Sequence, residues 1–250
     1  MQIPMGLVNN PKAVFICNHS GGKDSQIMYL MLRRIIPRDR LIVIHSHLPE
    51  VEWEGTEEFI RSTVDHEIHV VQAKKTFFDM VQQRGMFPSP KNRQCTSDLK
   101  RGPIAKKVRE ICNTRGYTVV VNCMGLRAEE SSGRAKKPTF KINNTQTNSK
   151  RKWYDWLPIH NLTTQEVFDG IQAEGQKPFW VYEAGMTRKS CCFCIMASED
   201  DLCTAAKLRP ELLEKYDHFE RTTGQVMIMP SKKKGKRTLK QIINDANNKP

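Results

Sequence analysis

No stretch of the 250-residue chain stays apolar for the ~18–20 residues a membrane-spanning helix needs. Met1 to Lys12 holds Pro4, Asn9, Asn10 and Pro11 and lacks the basic-then-apolar order of a secretory signal. A membrane partner and secretion are therefore not expected, and the cytoplasm is the expected compartment. Apolar residues are scarce at 38%, against about 45% in a typical globular chain. One core of about 200 residues with appendages fits that supply better than two large cores. No internal repeat is present.

Acidic residues are missing from two segments. Ser131 to Tyr154 has none, yet carries Arg134, Lys136, Lys137, Lys141, Lys150, Arg151 and Lys152; Ser231 to Gln241 has none, yet carries Lys232, Lys233, Lys234, Lys236, Arg237 and Lys240. The chain's net charge of +13 equals these thirteen cations, so the remainder is balanced. A polyanion such as DNA or RNA, bound through 131–154 and 231–241, is the expected partner, with a solubilising loop and tail as the alternative. Trp153, Tyr154 and Trp156 adjoin Lys150, Arg151 and Lys152, which would let a base stack beside phosphate contacts.

Of the eight cysteines, Cys191, Cys192, Cys194 and Cys203 lie together. In a reducing compartment such clusters bind metal or do redox work more often than they form disulfides. Cys191, Cys194 and Cys203 offer three soft ligands at a spacing that suits zinc or an iron–sulfur cluster; a redox dithiol and plain packing are the alternatives. Cys192 is left as a spare thiol open to reaction. Cys17, Cys112 and Cys123 fall in strand or helix patterns and read as small buried hydrophobes.

The short apolar run Ala13–Cys17 reads as a strand buried on both faces, as in a parallel sheet, and Leu41–Ile44, Ile68–Val71 and Thr118–Val121 read as the strands that follow. Helical patterns lie between them, over 27–36, 56–66 and 104–115. Strand–helix alternation predicts an α/β fold with a doubly wound parallel sheet, whose ligand sits outside the carboxyl ends of the strands. Thr163 with Glu166 predicts a capping box opening a helix, Ser198 with Asp201 another, and 212–222 a third. The expected organisation is an α/β domain over 1–160, a small helical, cysteine-bearing segment over 161–230, and a flexible basic tail over 231–250.

The first strand runs into Ser20-Gly21-Gly22-Lys23-Asp24-Ser25 and then a helix. Two glycines let successive N–H groups curl into one concavity, and the helix N-terminus adds partial positive charge, which together make an anion nest. Ser20 and Ser25 add hydroxyls and Lys23 a charge; Asp24 suits phosphate only through Mg²⁺ or as a helix cap. This is not the G-x-x-x-x-G-K-[ST] loop of an ordinary ATPase. Arg93, Lys100, Arg127 and Arg134 are further cations whose gathering at the end of a sheet would require an anion there.

The six-residue loop resembles the PP-loop of the N-type ATP pyrophosphatases and the phosphoadenosine-phosphosulfate (PAPS) reductase family. Further segments, in the family's order, carry the likeness from about 13 to 203. They are His45 to Trp53; Arg93-x-Cys95-Thr96-x-x-Leu99-Lys100-x-x-Pro103; Gly125-x-Arg127-x-x-Glu130-Ser131-x-x-Arg134; Pro158-Ile159; and Tyr182-x-x-Gly185-x-x-Arg188-x-x-Cys191-x-x-Cys194. The resemblance implies an adenine-nucleotide alpha-hydrolase-like fold that binds ATP or PAPS with Mg²⁺. It implies that Ser20, Gly21, Gly22, Lys23, Asp24, Ser25 and Arg127 bind the nucleotide, and that Lys23, Asp24, Arg93, Lys100, Arg127, Glu130 and Arg134 serve catalysis. It also implies Cys95 as a fourth ligand beside Cys191, Cys194 and Cys203. Relatives with an equivalent set, the sulfur-inserting subunit of DNA phosphorothioation and the cluster-bearing adenylyl-sulfate reductases, carry a [4Fe–4S] cluster, with zinc as the alternative here.

No cysteine follows Cys203, so the terminal nucleophilic cysteine of the thioredoxin-dependent reductases has no counterpart in the sequence. The expected reaction is adenylation of an acceptor by the α-phosphate of ATP, followed by sulfur transfer, with a sulfur donor or reductase protein as a partner. The rivals are a sulfonucleotide reductase that releases sulfite and a non-catalytic, nucleotide-gated nucleic-acid binder.

Overall fold

Alternate residues of the apolar runs face opposite ways, as a pleated strand requires. In a computed structural model, which describes residues 4–230 and 235–248, the runs become β1 (Ala13–Asn18), β2 (Leu41–Ser46), β3 (Ile68–Val71) and β4 (Val119–Cys123). Two further strands, β5 (Phe140–Ile142) and β6 (Lys152–Trp156), complete a six-stranded sheet in the order β3-β2-β1-β4-β6-β5. All pairings are parallel except β5 with β6. Phe15, Cys17, Val43, Val121, Cys123 and Trp156 belong to the core of one face, while Val14, Ile16, Ile44, Val120 and Trp153 belong to that of the other. The helices Lys23–Leu32 and Thr164–Ala173 cover the first face, and the helix Gly102–Arg115 covers the second through Ala105, Val108, Ile111 and Cys112. The doubly wound α/β sheet expected from the strand–helix alternation is thus present.

The chain divides into two compact units. The first holds the sheet and comprises 1–46, 55–71 and 104–179; the second comprises 47–54, 72–103 and 180–250. Both are discontinuous in sequence, whereas the reading above drew continuous segments parting at 160 and 230.

The second unit is helical, with Phe77–Arg84, Glu199–Leu208, Pro210–Thr223 and Leu239–Asn247. Tyr216 is fully buried there; its ring stacks on Phe87 and meets Phe78 and Phe193 edge-on, and its hydroxyl donates to the Phe193 carbonyl at 3.2 Å.

The expected flexible tail is corrected over its described part. Thr238 and Gln241 form a capping box, and Leu239, Ile242 and Ile243 are buried, the i, i+3, i+4 stripe of a packed helix. Glu220, itself buried, accepts from the backbone N–H groups of Met227 and Leu239 and closes the preceding loop. Arg237 pairs with Glu199 and Asp245, and Lys240 with Glu214 and Asp217. These cations balance the unit's own acids. Lys232, Lys233 and Lys234 lie outside the described residues. Among the described residues no helix is long and apolar enough to cross a membrane.

Candidate functional site

In the first unit, β1 and β4 are neighbours from which the sheet extends in opposite directions, the topological switch point at which such sheets bind ligands. The loop after β1 is the glycine nest. Gly21 has φ +78°, a left-handed conformation that glycine takes without steric cost. Gly22 is the N-cap of the helix Lys23–Leu32 and offers no side chain to cap it. An N-cap serine or aspartate would place an acceptor side chain over the first turn; with glycine there the start of the helix carries no such side chain, and the Ser25 N–H donates to the Gly22 carbonyl at 3.0 Å. Ser25 braces the loop: its hydroxyl donates to the Gly22 carbonyl at 2.8 Å and accepts from the Ser20 N–H at 3.1 Å. The Gly21 N–H donates to His19 Nδ1 at 3.2 Å.

The loop after β4 packs directly on this helix start. A Cβ built on Gly125 would lie 3.0 Å from the Asp24 carbonyl oxygen and 3.3 Å from the Ser25 nitrogen, so the glycine of the G-x-R motif is a close-approach residue. Two residues on, Arg127 is buried with only 3% of its surface exposed. Its Nε donates to Asp24 Oδ1 at 2.6 Å, Nη1 to Glu129 at 2.5 Å and to the Leu162 carbonyl at 3.2 Å, and Nη2 to Thr164 Oγ1 at 3.1 Å. Burial lowers the Arg127 pKa, but the Asp24 charge and the carboxylate hydrogen bonds outweigh it and hold the guanidinium above its ordinary value. The structure thus places Arg127 on protein acceptors, where it neutralises the aspartate that suited phosphate poorly. Asp24 Oδ2 lies 3.5 Å from the ammonium of Lys23, which is buried and sits 5.8 Å from the Phe168 ring centre.

Glu130 accepts from the Arg127 N–H at 2.8 Å and pairs with Arg134, and Ser131 caps the short turn carrying Arg134. The G-x-R-x-x-E-S-x-x-R segment is a self-braced loop held against the nest. Behind it, Asn18, Asn122 and Asp155 form a hydrogen-bonded row across β1, β4 and β6. Of the expected cations, Lys23, Arg127 and Arg134 belong to this unit and Arg93 and Lys100 to the other.

The second unit gathers the thiols. Cys95 lies on a helical turn at Gln94–Thr96, and Cys191 and Cys194 on the loop before the helix Glu199–Leu208. The ammonium of Lys100 is held above its usual value mainly by Cys191, with Cys194, Glu52 and Cys95 adding to the effect against the cost of burial. Burial pushes the Cys191 thiol up to about 11, with Lys100 opposing. Cys95 is raised by burial and lowered by Lys100. The three thiols and Lys100 therefore share one electrostatic neighbourhood and could hold a soft metal centre.

Among the described residues no three of these sulfurs lie within 4.8 Å of one another. A tetrahedral zinc with bonds near ~2.3 Å would draw them to about 3.8 Å, so the spacing is wider than a single ion requires. Cys203 is directed at the Ile243 carbonyl, 3.8 Å away. Glu52 bridges Lys189 at 3.4 Å and His47 at 2.9 Å. Buried Asp201 pins the cysteine loop by accepting from the Thr187 N–H at 2.7 Å and its hydroxyl at 2.8 Å.

Three sequence readings change. Cys192 is fully buried and burial pushes its thiol up to about 12, so it is no exposed, reactive spare. Trp153 and Trp156 are buried in the two faces of the sheet, and Tyr154 stacks on Phe140, so the two tryptophans offer no ring to a base. Arg151 is buried and bonded to Asn113, whereas Lys136, Lys137, Lys141, Lys150 and Lys152 are exposed. Cys17, Cys112 and Cys123 are buried, as their patterns indicated. Sequence reasoning missed Asp201, Glu129 and Thr164; the S-x-x-D pattern at Ser198 had marked Asp201 as part of a helix start, but nothing local reveals its bond to Thr187.

Residues 15–197 match the model of the phosphoadenosine phosphosulfate reductase domain. A 37.8 kDa uncharacterised protein of Escherichia phage 186 is 29% identical over 172 residues, covering 66% of this chain and 50% of that protein. An uncharacterised protein of Methanocaldococcus jannaschii is 25% identical over 199 residues, covering 79% of this chain and 45% of that one. The chain thus spans about half the length of the curated relatives it matches. Among solved structures, the phosphoadenylyl-sulfate reductase of Candida auris is similar in fold, with TM-score 0.50, 13% identity, and coverage of 75% of this chain and 84% of that one. With a family match over nearly three quarters of its length and the nest, the G-x-R-x-x-E-S-x-x-R loop and the sheet order in place, the chain belongs to the phosphoadenosine phosphosulfate reductase domain family.

Proposed function

We propose that the protein is an ATP-consuming PP-loop enzyme that adenylates an acceptor and prepares it for sulfur transfer. The side-chain-free N-cap at Gly22 carries this reading, because it leaves the start of a helix at the switch point of the sheet uncovered by a cap side chain, where helix termini favour anions. The phosphates of ATP would rest on Ser20–Ser25, with Mg²⁺ sharing their charge. Asp24 Oδ1 is already held by Arg127, which keeps this carboxylate from repelling them. Lys23 and Arg134 are the cations of this unit proposed to meet the phosphates, and Glu130 positions Arg134.

In the reaction an acceptor oxygen attacks the α-phosphorus. A P–O bond forms to the acceptor, the α–β bridging P–O bond breaks, and pyrophosphate leaves with the electron pair. A sulfur nucleophile from a donor protein then displaces AMP. The protein contributes positioning and charge complementarity, the main levers in phosphoryl-type transfer.

Cys95, Cys191 and Cys194 would hold an iron–sulfur centre, with Cys203 as fourth ligand once its thiol leaves the Ile243 carbonyl. Such a centre, when bound, supplies electrons or an iron site for sulfur. Lys100 would balance the thiolate charge, and Asp201 would fix the loop that carries two of the ligands. The exposed lysines of 136–152 suit a polyanionic acceptor, DNA or RNA.

A second reading, sulfonucleotide reduction with sulfite release, is favoured by the family match itself. Anaerobically prepared protein given a dithiol reductant and a single-stranded oligonucleotide as acceptor, and incubated with α-labelled ATP and, separately, with labelled PAPS, distinguishes the two. AMP and pyrophosphate from ATP support adenylation. Sulfite from PAPS with ATP left intact replaces adenylation by reduction, and turnover of neither nucleotide leaves only a binding role.

A further inference from the structure

Most buried cations of this protein have a carboxylate or carbonyl of their own, but one exposed group in the second unit does not. A cavity of about 360 Å³ opens between the loop at 91–94 and the helical turns that follow. Lys91, Arg93 and Arg101 line it together with Asn92, Gln94 and Thr96, and no acidic or apolar residue contributes to its wall. Among the described residues no carboxylate pairs with Lys91, Arg93 or Arg101. The acid nearest in sequence, Asp98, is engaged by Lys75 at 3.4 Å and by the Ser97 hydroxyl at 2.7 Å.

The wall is also ordered from within. The Ser89 N–H donates to the Asn92 carbonyl at 3.2 Å and the Asn92 N–H to the Ser89 hydroxyl at 3.1 Å, which closes the loop. With its side-chain amide turned by 180°, Gln94 would donate to the Asn92 carbonyl at 2.6 Å and accept from Arg84 at 3.1 Å, a fourth cation behind the wall. Three converging cations without an internal counter-charge repel one another, and that cost is lifted by an anion from outside. Guanidinium forks fit phosphate oxygens in pairs, and neutral amide and hydroxyl donors add contacts to phosphate or sugar.

We infer that this cavity is a docking site for the phosphodiester backbone of a nucleic-acid strand, held on the unit that carries the cysteines. The inference rests on the acceptor class proposed above and adds where that acceptor is gripped. A strand is preferred to a single phosphate because three cations and several neutral donors are spread along an open cavity, more groups than one phosphate engages. Cys95 lies in sequence between Arg93 and Arg101, so the segment that grips the backbone is also the segment that supplies a thiol.

The test uses the full chain and a labelled single-stranded oligonucleotide, with affinity read by anisotropy at 50 and 200 mM salt, for the wild type, for Lys91→Gln with Arg101→Gln, and for Lys136→Gln with Lys150→Gln. Each phosphate contact contributes about −0.7 to the log–log salt slope on single strands, so losing two should flatten the slope by about 1.4 and shrink the salt effect over this range about sevenfold. The expected result is that flattening, with weaker binding at 50 mM, in the Lys91/Arg101 variant, while its ATP affinity stays at the wild-type value.

Wild-type affinity and slope in that variant overturn the inference, and so does loss of binding confined to the Lys136/Lys150 variant, which would move the grip to the other unit. Displacement of the strand by millimolar inorganic phosphate at one equivalent would reduce the cavity to a single-phosphate site and also overturn it. Absence of oligonucleotide binding in a wild type that still cleaves ATP defeats this inference alone; strand binding without ATP cleavage defeats the adenylation reading alone.

Discussion

Replacing Arg127 by methionine separates two roles that its sequence motif leaves equivalent. A phosphate ligand would be dispensable in the nucleotide-free protein, whereas an internal counter-ion would not. The guanidinium is buried, and the Asp24 side chain it holds at 2.6 Å is 22% exposed. Removing one member of a buried pair typically costs ~3–5 kcal/mol, because the other charge stays desolvated and unpaired. Partial exposure of Asp24 puts the expected loss at the lower end, about 3 kcal/mol, with the Leu162 carbonyl and Thr164 also losing a donor. For a chain of this size each kcal/mol shifts Tm by about 2–4 °C, so the first unit's transition should fall by about 6–12 °C without any nucleotide.

Asp24→Asn should also destabilise, by removing one of the two carboxylates that hold the buried cation, Glu129 being the other. The double variant should recover part of the sum, with a coupling of about 2 kcal/mol in a double-mutant cycle measured by calorimetry. An unchanged Tm for Arg127→Met in the absence of ATP, with loss only of ATP affinity, would refute this placement and restore Arg127 to the phosphates.

Gly125→Ala forces a methyl against backbone atoms at 3.0–3.3 Å and should cost about 1–3 kcal/mol, weakening ATP affinity tenfold or more by calorimetric titration. Gly170→Ala meets only the flexible end of Ile27, at 2.7 Å, and should cost less in the same melting assay. Asp201→Asn leaves Thr187 one neutral amide oxygen in place of two carboxylate acceptors, so it should lower metal content after anaerobic reconstitution while the sheet-bearing unit melts as before. Cys194→Ser should abolish metal binding and the visible absorption that accompanies an iron–sulfur centre, and full metal content in that variant would remove the thiol set from the account.

The parallel core of the fold was legible because β1, β2 and β4 each contain a run of three or more consecutive apolar residues, and β3 is Ile68, Val70 and Val71 around His69. Strand β6 was not, because Lys152 and Asp155 break the run and the preceding lysines make the segment read as a nucleic-acid contact. Its pairing with β4 puts Trp153 beside Val120 and Trp156 beside Cys123, in opposite faces of the sheet, so the tryptophans serve the core. The helix at 239–247 was within reach, since Thr238, Gln241 and the apolar triplet Leu239, Ile242 and Ile243 spell a cap and a stripe; the run of lysines before it drew the reading toward a loose tail.

The strand–glycine turn–helix order after β1 was readable from Gly21 and Gly22, and the grouping of Cys191, Cys192 and Cys194 from their spacing. The contact of Arg127 with Asp24 was not readable, because a guanidinium fits carboxylate and phosphate alike and the close packing of Gly125 on the Asp24 turn that accompanies it is not a local feature. Cys192 differs from its reactive-looking neighbours by burial alone, which no local pattern reports.

The most direct test of the central claim is a calorimetric titration of MgATP into the wild type and into Gly22→Val. Valine at this N-cap brings a branched side chain to the place where the helix presents its first-turn N–H groups, while its φ of −88° and ψ of 159° keep the backbone in a region valine accepts. The account predicts one ATP per chain for the wild type and no measurable heat of binding for a Gly22→Val protein that melts as the wild type does. Equal ATP affinity in the two proteins would contradict the assignment of Ser20–Ser25 as the phosphate site.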